Sequence, residues 1–171
     1  MLNIPEYKEY GGETKIALMD NSSLAFMHEL SQRSYPSDRI LGVYDLILIP
    51  KWVMEEIEDS TYRSTYVEQL QAQGYPIRWI DETKYGTFVN DEDVNLYYIV
   101  EAAVSRVSEL MRFLRRKVKT EDLIDLPSAE EWMNRLYDEW PIHGRTLSTG
   151  RVLKKNAGEI SLTILAEVFA W

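Results

Sequence analysis

The sequence predicts an α/β fold in which helices cover both faces of a parallel β-sheet. Three short apolar runs of strand length alternate with segments of helical periodicity, an order typical of βαβ units. The runs are nearly continuous in apolar residues, as expected of strands that are buried on both faces. They are Lys15–Met19, Tyr44–Ile49 and Pro76–Ile80.

Length and composition are typical of a folded globular protein. Of the 171 residues, 45% are hydrophobic and 27% are charged, which predicts one domain spanning residues 1–171. Because the chain has no cysteine, disulfides, thiolate metal sites and cysteine nucleophiles are excluded. No stretch approaches the ~20 apolar residues that span a bilayer, and the N-terminal segment is polar. We therefore expect a cytoplasmic protein without a membrane partner.

The helices of the first half follow directly from the strands. Asp20 ends the first strand, and Asn21–Ser23 are good N-cap residues for a helix over Leu24–Leu30. Pro50 ends the second strand and suits the first turn of a helix that continues to Ile57. A further helix is predicted over Tyr62–Gln73 and is closed by a glycine.

The second half is predicted to be mainly helical. Val94–Val118 carries a long apolar stripe at helical spacing and is interpreted as one helix of about seven turns. Ser128 and Glu131 form a capping box for a helix over Ser128–Glu139. We expect His143–Ala157, with two glycines, to be a loop, and Glu159–Phe169 to be the last amphipathic helix.

Three acidic residues are placed where chemistry is expected. Asp20 ends the first strand, Glu56 lies on the second turn of the following helix, and Glu159 begins the last helix. If the first two strands are neighbours, Asp20 and Glu56 emerge at the carboxyl edge of the sheet, where such folds bind ligands. Crowded carboxylates bind protons more tightly unless a cation compensates them, and Mg²⁺ or Mn²⁺ prefers such oxygen ligands. A bound ion of this kind can generate hydroxide and stabilise charge on a phosphoryl oxygen.

Charge is segregated along the chain. The net charge of −9 argues against a nucleic-acid partner, but two segments are locally basic. Arg106–Lys119 has six basic residues and one acid, and a solvated helix face explains it equally well. His143–Lys155 has no acid, and its four Lys and Arg residues are candidates for contacting nucleic acid. These are Arg145, Arg151, Lys154 and Lys155.

Three short motifs, in order along the chain, resemble those of PIN-domain ribonucleases. Leu18–Leu24 (LMDNSSL) resembles the first motif, in which a strand ends in an acid followed by a small hydroxyl residue. Ile49–Ile57 (IPKWVMEEI) resembles the second motif, and Gly158–Ala166 (GEISLTILA) resembles a Gly-Glu version of the third. The resemblance covers roughly residues 15–81 and 156–170, and residues 91–140 are interpreted as a helical insertion.

The resemblance implies a three-layer α/β/α, Rossmann-like fold and a metal-dependent endonuclease. Such enzymes act most often on RNA, with DNA as the alternative, and are often toxins that pair with an antitoxin protein. Asp20, Glu56 and Glu159 would then be the catalytic residues that hold Mg²⁺ or Mn²⁺. Ser22 would support the site by hydrogen bonding near the positive end of its helix.

The sequence departs from the family pattern at its end. PIN domains continue past the third motif into a strand that carries a fourth acid, and this sequence ends at Trp171, where that strand would begin. The expectation is a truncated or divergent member, or a sheet completed by a partner or a second copy. A catalytically degenerate module that binds protein or nucleic acid is therefore the alternative function.

The same residues also have simpler interpretations. The alternative for Asp20 is a helix cap and nothing more, and for Glu159 a first-turn acid favoured by the helix dipole. Tyr62, Tyr66 and Tyr85 are core residues by default, and each would stack on a nucleobase if it were exposed.

Overall fold

The computed structural model describes residues 2–89, 92–105, 107–117 and 128–170. These residues form two compact units, Met1–Ile80 and Asp81–Trp171. The first unit is a mixed α/β structure with a three-stranded parallel sheet, and the second combines helices with a two-stranded antiparallel hairpin. The α/β class is thus confirmed, whereas the single domain over residues 1–171 stays a prediction.

The sheet of the first unit consists of β1 (Ile16–Leu18), β2 (Leu46–Pro50) and β3 (Ile77–Ile80). The strands are parallel in the order β1-β2-β3. Every residue of the central strand β2 is buried, which explains why its sequence is an uninterrupted apolar run. All three strands lie within two residues of the predicted bounds.

Four helices connect these strands in sequence: α1 (Asn21–Gln32) and α2 (Asp38–Leu41) between β1 and β2, and α3 (Lys51–Glu58) and α4 (Thr61–Ala72) between β2 and β3. Ser60 caps α4, since its side chain accepts a hydrogen bond from the backbone N–H of Arg63. Each long helix contributes apolar side chains to the core. These are Leu24 and Met27 from α1, Trp52, Val53 and Ile57 from α3, and Val67 and Leu70 from α4.

The N-terminal segment runs beside β3. The backbone N–H of Tyr7 donates to the carbonyl of Trp79 at 2.7 Å, and the N–H of Trp79 donates to the carbonyl of Pro5 at 3.0 Å. Leu2, Ile4 and Tyr7 are buried. The segment therefore covers the edge of the sheet, which would otherwise present unpaired backbone groups.

The second unit begins with a 3₁₀ helix, Glu82–Phe88. Helices α5 (Glu92–Val104), α6 (Ser108–Lys117) and α7 (Ala129–Asp138) follow, then strands β4 (His143–Thr146) and β5 (Val152–Lys154), and finally α8 (Ala157–Ala170). Its buried side chains come from every helix. They include Tyr85, Leu96, Val100, Val104, Leu110, Met133, Leu136, Trp140, Ile160, Ile164, Leu165 and Val168.

Two predictions for this unit were wrong. The single helix expected over Val94–Val118 is divided into α5 and α6, and next to the break Ser105 Oγ donates to the carbonyl of Ala102 at 2.7 Å. Such a bond offers the backbone an alternative to continuing the helix. The loop expected over His143–Ala157 contains the β4–β5 hairpin and the first residue of α8.

The proposed insertion, residues 91–140, includes α5, α6 and α7. Residues 91, 106 and 118–127 of it lie outside the described part of the chain. Within the described residues, no helix combines the length and apolar character needed to cross a membrane.

Candidate functional site

Asp20 lies at the carboxyl edge of the parallel sheet, immediately after β1. The backbone N–H of Met19 donates to the carbonyl of Leu48 at 2.9 Å, so pairing with β2 continues to the residue before Asp20. Asp20 is extended and caps α1, because its Oδ1 accepts a hydrogen bond from the backbone N–H of Ser23 at 2.6 Å. Helix α3 starts at this same edge, directly after β2. The predicted placement of Asp20 and the α3 start is therefore confirmed.

A hydrogen-bonded network joins the three helices that meet at this edge. Asn21 Nδ2 donates to Glu56 Oε2 at 3.3 Å, which links α1 to α3. Arg63 Nη1 donates to Asn21 Oδ1 at 2.6 Å, which links α4 to the same amide. All three side chains are half-buried. The Asn21 side-chain amide acts as both donor and acceptor here. Because Asn21 directly follows Asp20, these two hydrogen bonds hold Glu56 and Arg63 near the start of α1.

The electrostatics of this edge combine both signs of charge. Glu56 and Asp20 contribute carboxylates, and Arg63 brings a guanidinium that is one side chain removed from Glu56. An arginine stays charged throughout the physiological pH range and suits planar anions such as phosphate. The edge therefore holds two anions and one fixed cation, a combination that can position a phosphate group and a metal ion together.

Comparisons with protein-family models, with curated proteins and with solved structures found no match to this chain. The functional groups at this edge are two carboxylates, one carboxamide and one guanidinium, and its chemistry depends on these groups.

The other predicted site residues have simpler surroundings. Ser22 is exposed in the first turn of α1. Glu159 belongs to the second unit, where it is exposed in the first turn of α8 and its carbonyl accepts a hydrogen bond from Thr163 Oγ1 at 2.8 Å. Among the described residues, no group of three or more His, Asp or Glu side chains is arranged to hold a metal ion. The three-carboxylate site of Asp20, Glu56 and Glu159 stays a prediction.

The four predicted nucleic-acid-binding residues lie on or beside the β4–β5 hairpin. Arg145, Arg151 and Lys155 are exposed, and Lys154 is half-buried. Lys154 Nζ donates to the carbonyl of Trp140 at 3.2 Å, which holds its ammonium beside the end of α7. The basic segment is therefore a β-ribbon in which the ammonium of Lys154 is held by a hydrogen bond.

The structure distinguishes the three tyrosines named as stacking candidates. Tyr66 and Tyr85 are buried, whereas Tyr62 is 62% exposed. The buried His28 ring packs edge-on against Tyr62 and Tyr66, with ring centroids 4.0 Å and 4.7 Å apart. Tyr62 is therefore the one of the three whose ring is available for stacking, and it directly precedes Arg63.

A second polar network lies buried in the other unit. Ser161 Oγ lies 2.8 Å from Tyr85 Oη and donates to Glu82 Oε1 at 2.8 Å. Burial raises the pKa of the Tyr85 hydroxyl well above its usual value, and the charge of Glu82 raises it further. Ser161 is completely buried, whereas Glu159, two residues earlier on α8, is exposed.

Proposed function

We propose that this chain is a PIN-like, metal-dependent endonuclease that hydrolyses RNA in the cytoplasm. The observation that carries the proposal is the hydrogen bond between Asn21 and Glu56, 3.3 Å long, at the carboxyl edge of the parallel sheet. It fixes a carboxylate of α3 beside the start of α1, where Asp20 already ends β1. Carboxylates at such an edge are suitable oxygen ligands for a divalent ion that assists phosphodiester hydrolysis.

The side chains at this edge fit a hard divalent ion. Mg²⁺ is usually bound by one or two carboxylates together with water and substrate phosphates. Asp20 and Glu56 are such a pair: Asp20 Oδ1 accepts from the backbone N–H of Ser23, and Glu56 Oε2 accepts from Asn21. When bound, Mg²⁺ or Mn²⁺ would supply a hydroxide and stabilise negative charge on the phosphoryl oxygens.

The protein's own contribution is positioning and charge. Asp20 and Glu56 are held by the Ser23 backbone N–H and by Asn21, so both carboxylates are preorganised before substrate arrives. Arg63, fixed by Asn21, neutralises charge on the scissile phosphate. The oxygen of a water molecule bonds to phosphorus as that water gives up one proton, the bond from phosphorus to one sugar oxygen breaks, and the sugar oxygen takes up a proton.

The test is cleavage of a fluorescent single-stranded RNA by the purified chain with Mn²⁺, Mg²⁺ or EDTA. We expect cleavage with either metal, none in EDTA, and none by Asp20→Asn or Glu56→Gln. Asn21→Ala should lower the rate by roughly 10- to 100-fold, as expected when a residue that orients a ligand is lost. Glu68→Gln, an exposed acid on α4, is the matched control and should cleave normally.

Equal cleavage by the wild type and by Asp20→Asn would mean a contaminating nuclease, and the proposal would be abandoned. Glu159→Gln belongs in the same series, because it tests the predicted third ligand directly. Expression in bacteria tests the toxin interpretation: growth arrest by the wild type, absent with Asp20→Asn and relieved by an antitoxin, is the expected result.

The second candidate function is a degenerate module that binds RNA or protein without cutting. This function is favoured because both acids already have structural roles. Asp20 caps α1, and Glu56 accepts a hydrogen bond from Asn21 that links α3 to α1. This function predicts RNA or protein binding that is equal with Mg²⁺ and EDTA, and no cleavage under either condition.

A further inference from the structure

The β4–β5 hairpin has one face that packs on its unit and one that faces solvent. His143 lies directly opposite Lys154, and Thr146 lies opposite Val152. Directly opposed residues of an antiparallel pair project from the same face, and the face alternates along each strand. Leu153, between Val152 and Lys154, is buried. On β5 the buried Leu153 therefore lies on the inner face, and Val152 and Lys154 lie on the other face. On β4 a register shift between His143 and Thr146 interrupts the alternation, and all four residues of that strand are exposed.

The turn of the hairpin is tightly fixed. The backbone N–H of Leu147 donates to the carbonyl of Arg151 at 2.7 Å, and the N–H of Gly150 donates to the carbonyl of Leu147 at 2.9 Å. Gly150 has a φ of 83°, which favours glycine. Leu147 is also buried, so Leu147 and Leu153 anchor the hairpin. Arg145, Arg151 and Lys155 are exposed.

The charge of this ribbon is opposite to that of the whole chain. Residues 143–155 contain two arginines, two lysines and no acid, in a protein of net charge −9. Three of the four cations are exposed, and the fourth, Lys154, is held in place by the Trp140 carbonyl. Cations clustered in this way favour a polyanion, because releasing its counterions drives binding.

We propose that the β4–β5 hairpin binds the phosphate backbone of single-stranded RNA without a metal ion, and that it delivers the strand to Glu159. The chain leaves β5 at Lys154 and enters α8 at Ala157, so Glu159 follows the ribbon by five residues. This inference rests on the proposed function for its choice of RNA. The geometry of the ribbon itself is independent of Asp20 and Glu56.

The test is the affinity for a labelled oligouridine, measured by fluorescence anisotropy in EDTA over a range of KCl concentrations. For single strands the slope of log K against log salt is about −0.7 per phosphate contact, so four contacts give roughly −3. Arg145→Gln/Lys155→Gln should reduce this slope to about half. At 0.1 M salt two lost contacts weaken binding by roughly 25-fold. Both residues are exposed, and circular dichroism verifies that the variant is folded.

The matched control is Lys8→Gln/Arg33→Gln, which removes the same charge from two other exposed sites. It should leave the slope and affinity nearly unchanged. An equal loss of affinity in both double variants would overturn the assignment, since the effect would be one of total charge. Polyglutamate that binds as tightly as oligouridine would make the ribbon a protein-docking surface, and the RNA assignment would be wrong.

The outcome is separable from that of the nuclease test. If the wild type binds oligouridine through the hairpin in EDTA but cleaves no RNA, the ribbon assignment holds and the endonuclease proposal fails. If RNA is cleaved and the hairpin variant cleaves with unchanged kcat/KM, the delivery role fails and the endonuclease proposal holds.

Discussion

The hydroxyl of Ser161 donates a hydrogen bond of 2.8 Å to the carboxylate of Glu82, inside the second unit. Glu82 is only 1% exposed and Ser161 is completely buried. The same hydroxyl meets Tyr85 Oη, also at 2.8 Å. A polar side chain buried this deeply stabilises a fold when its hydrogen bonds are made and destabilises it when they are lost.

Ser161→Ala should therefore lower the free energy of unfolding by about 1–3 kcal/mol, the usual cost of removing a partner from a buried polar group. Urea denaturation followed by circular dichroism measures it. Thr163→Ala is the control on the same helix, because Thr163 is exposed and should change stability by less than about 0.5 kcal/mol. Equal effects at both positions would show that the buried network contributes no stability of its own.

Two substitutions of Asp20 distinguish its role as a helix cap from its proposed role as a metal ligand. Asp20→Ala removes the acceptor for the Ser23 backbone N–H and should destabilise the chain by about 0.5–2 kcal/mol. Asp20→Asn keeps a good cap and should be nearly as stable as the wild type. Thermal denaturation without metal gives both values. A large loss of stability in Asp20→Asn would mean that the negative charge itself stabilises the edge of the sheet.

Asp45 links stability to pH. Its Oδ2 accepts hydrogen bonds from the Thr14 hydroxyl at 2.9 Å and from the backbone N–H groups of Thr14 and Lys15 at 3.1 Å and 3.0 Å. These bonds, the Thr14 hydroxyl first, hold the pKa of this carboxyl below its ordinary value of 3.8. A lowered folded-state pKa stabilises the fold above the unfolded-state value, and this stabilisation is lost as the pH falls through the folded-state value.

The variant Asp45→Asn should therefore have a lower Tm than the wild type near neutral pH, and the difference should shrink below about pH 4. Differential scanning calorimetry across that range measures the change. A Tm difference that stays constant from neutral to acidic pH would contradict the assignment, because the charged and neutral carboxyl would then be equivalent.

Gly150 tests the turn of the basic hairpin. A side chain at this position would meet no atom within 4 Å, so only its φ of 83° opposes a substitution. Gly150→Ala should cost about 1–2 kcal/mol. Gly150→Asn should cost less, since asparagine tolerates this conformation better. Chemical denaturation of the two variants measures both costs, and equal costs would show that the turn relaxes to another conformation.

The parallel sheet was predictable because burial imposes a simple pattern on it. The residues Leu46–Pro50 are all buried, and an apolar run of this length bounded by turn residues has few other interpretations. The N-cap of α7 was equally predictable from the sequence. Ser128 Oγ accepts a hydrogen bond from the Glu131 backbone N–H at 3.2 Å, as the capping box predicts. In both cases the determining residues are close together in the sequence.

The hairpin and the site network were not predictable for the opposite reason. Residues His143–Thr146 are all exposed, so β4 has no apolar alternation that would mark it as a strand. A side chain at Gly144 would lie 3.1 Å from the Leu153 carbonyl oxygen, a close approach that only the folded hairpin reveals. Arg63 meets Asn21 across 42 positions of sequence. No local pattern reports such a pairing.

The register of the sheet has a consequence for how the chain acquires its structure. Ile16 pairs with Leu46 and Ile47 pairs with Ile77, so each ladder joins residues about 30 positions apart. No tight turn can therefore initiate the sheet, and its strands meet only through contacts between residues that are distant in sequence. Until then β2 is an unprotected apolar segment of the kind that aggregates. Pro50 has no N–H to donate and therefore limits the pairing of β2 with other chains before the sheet has formed.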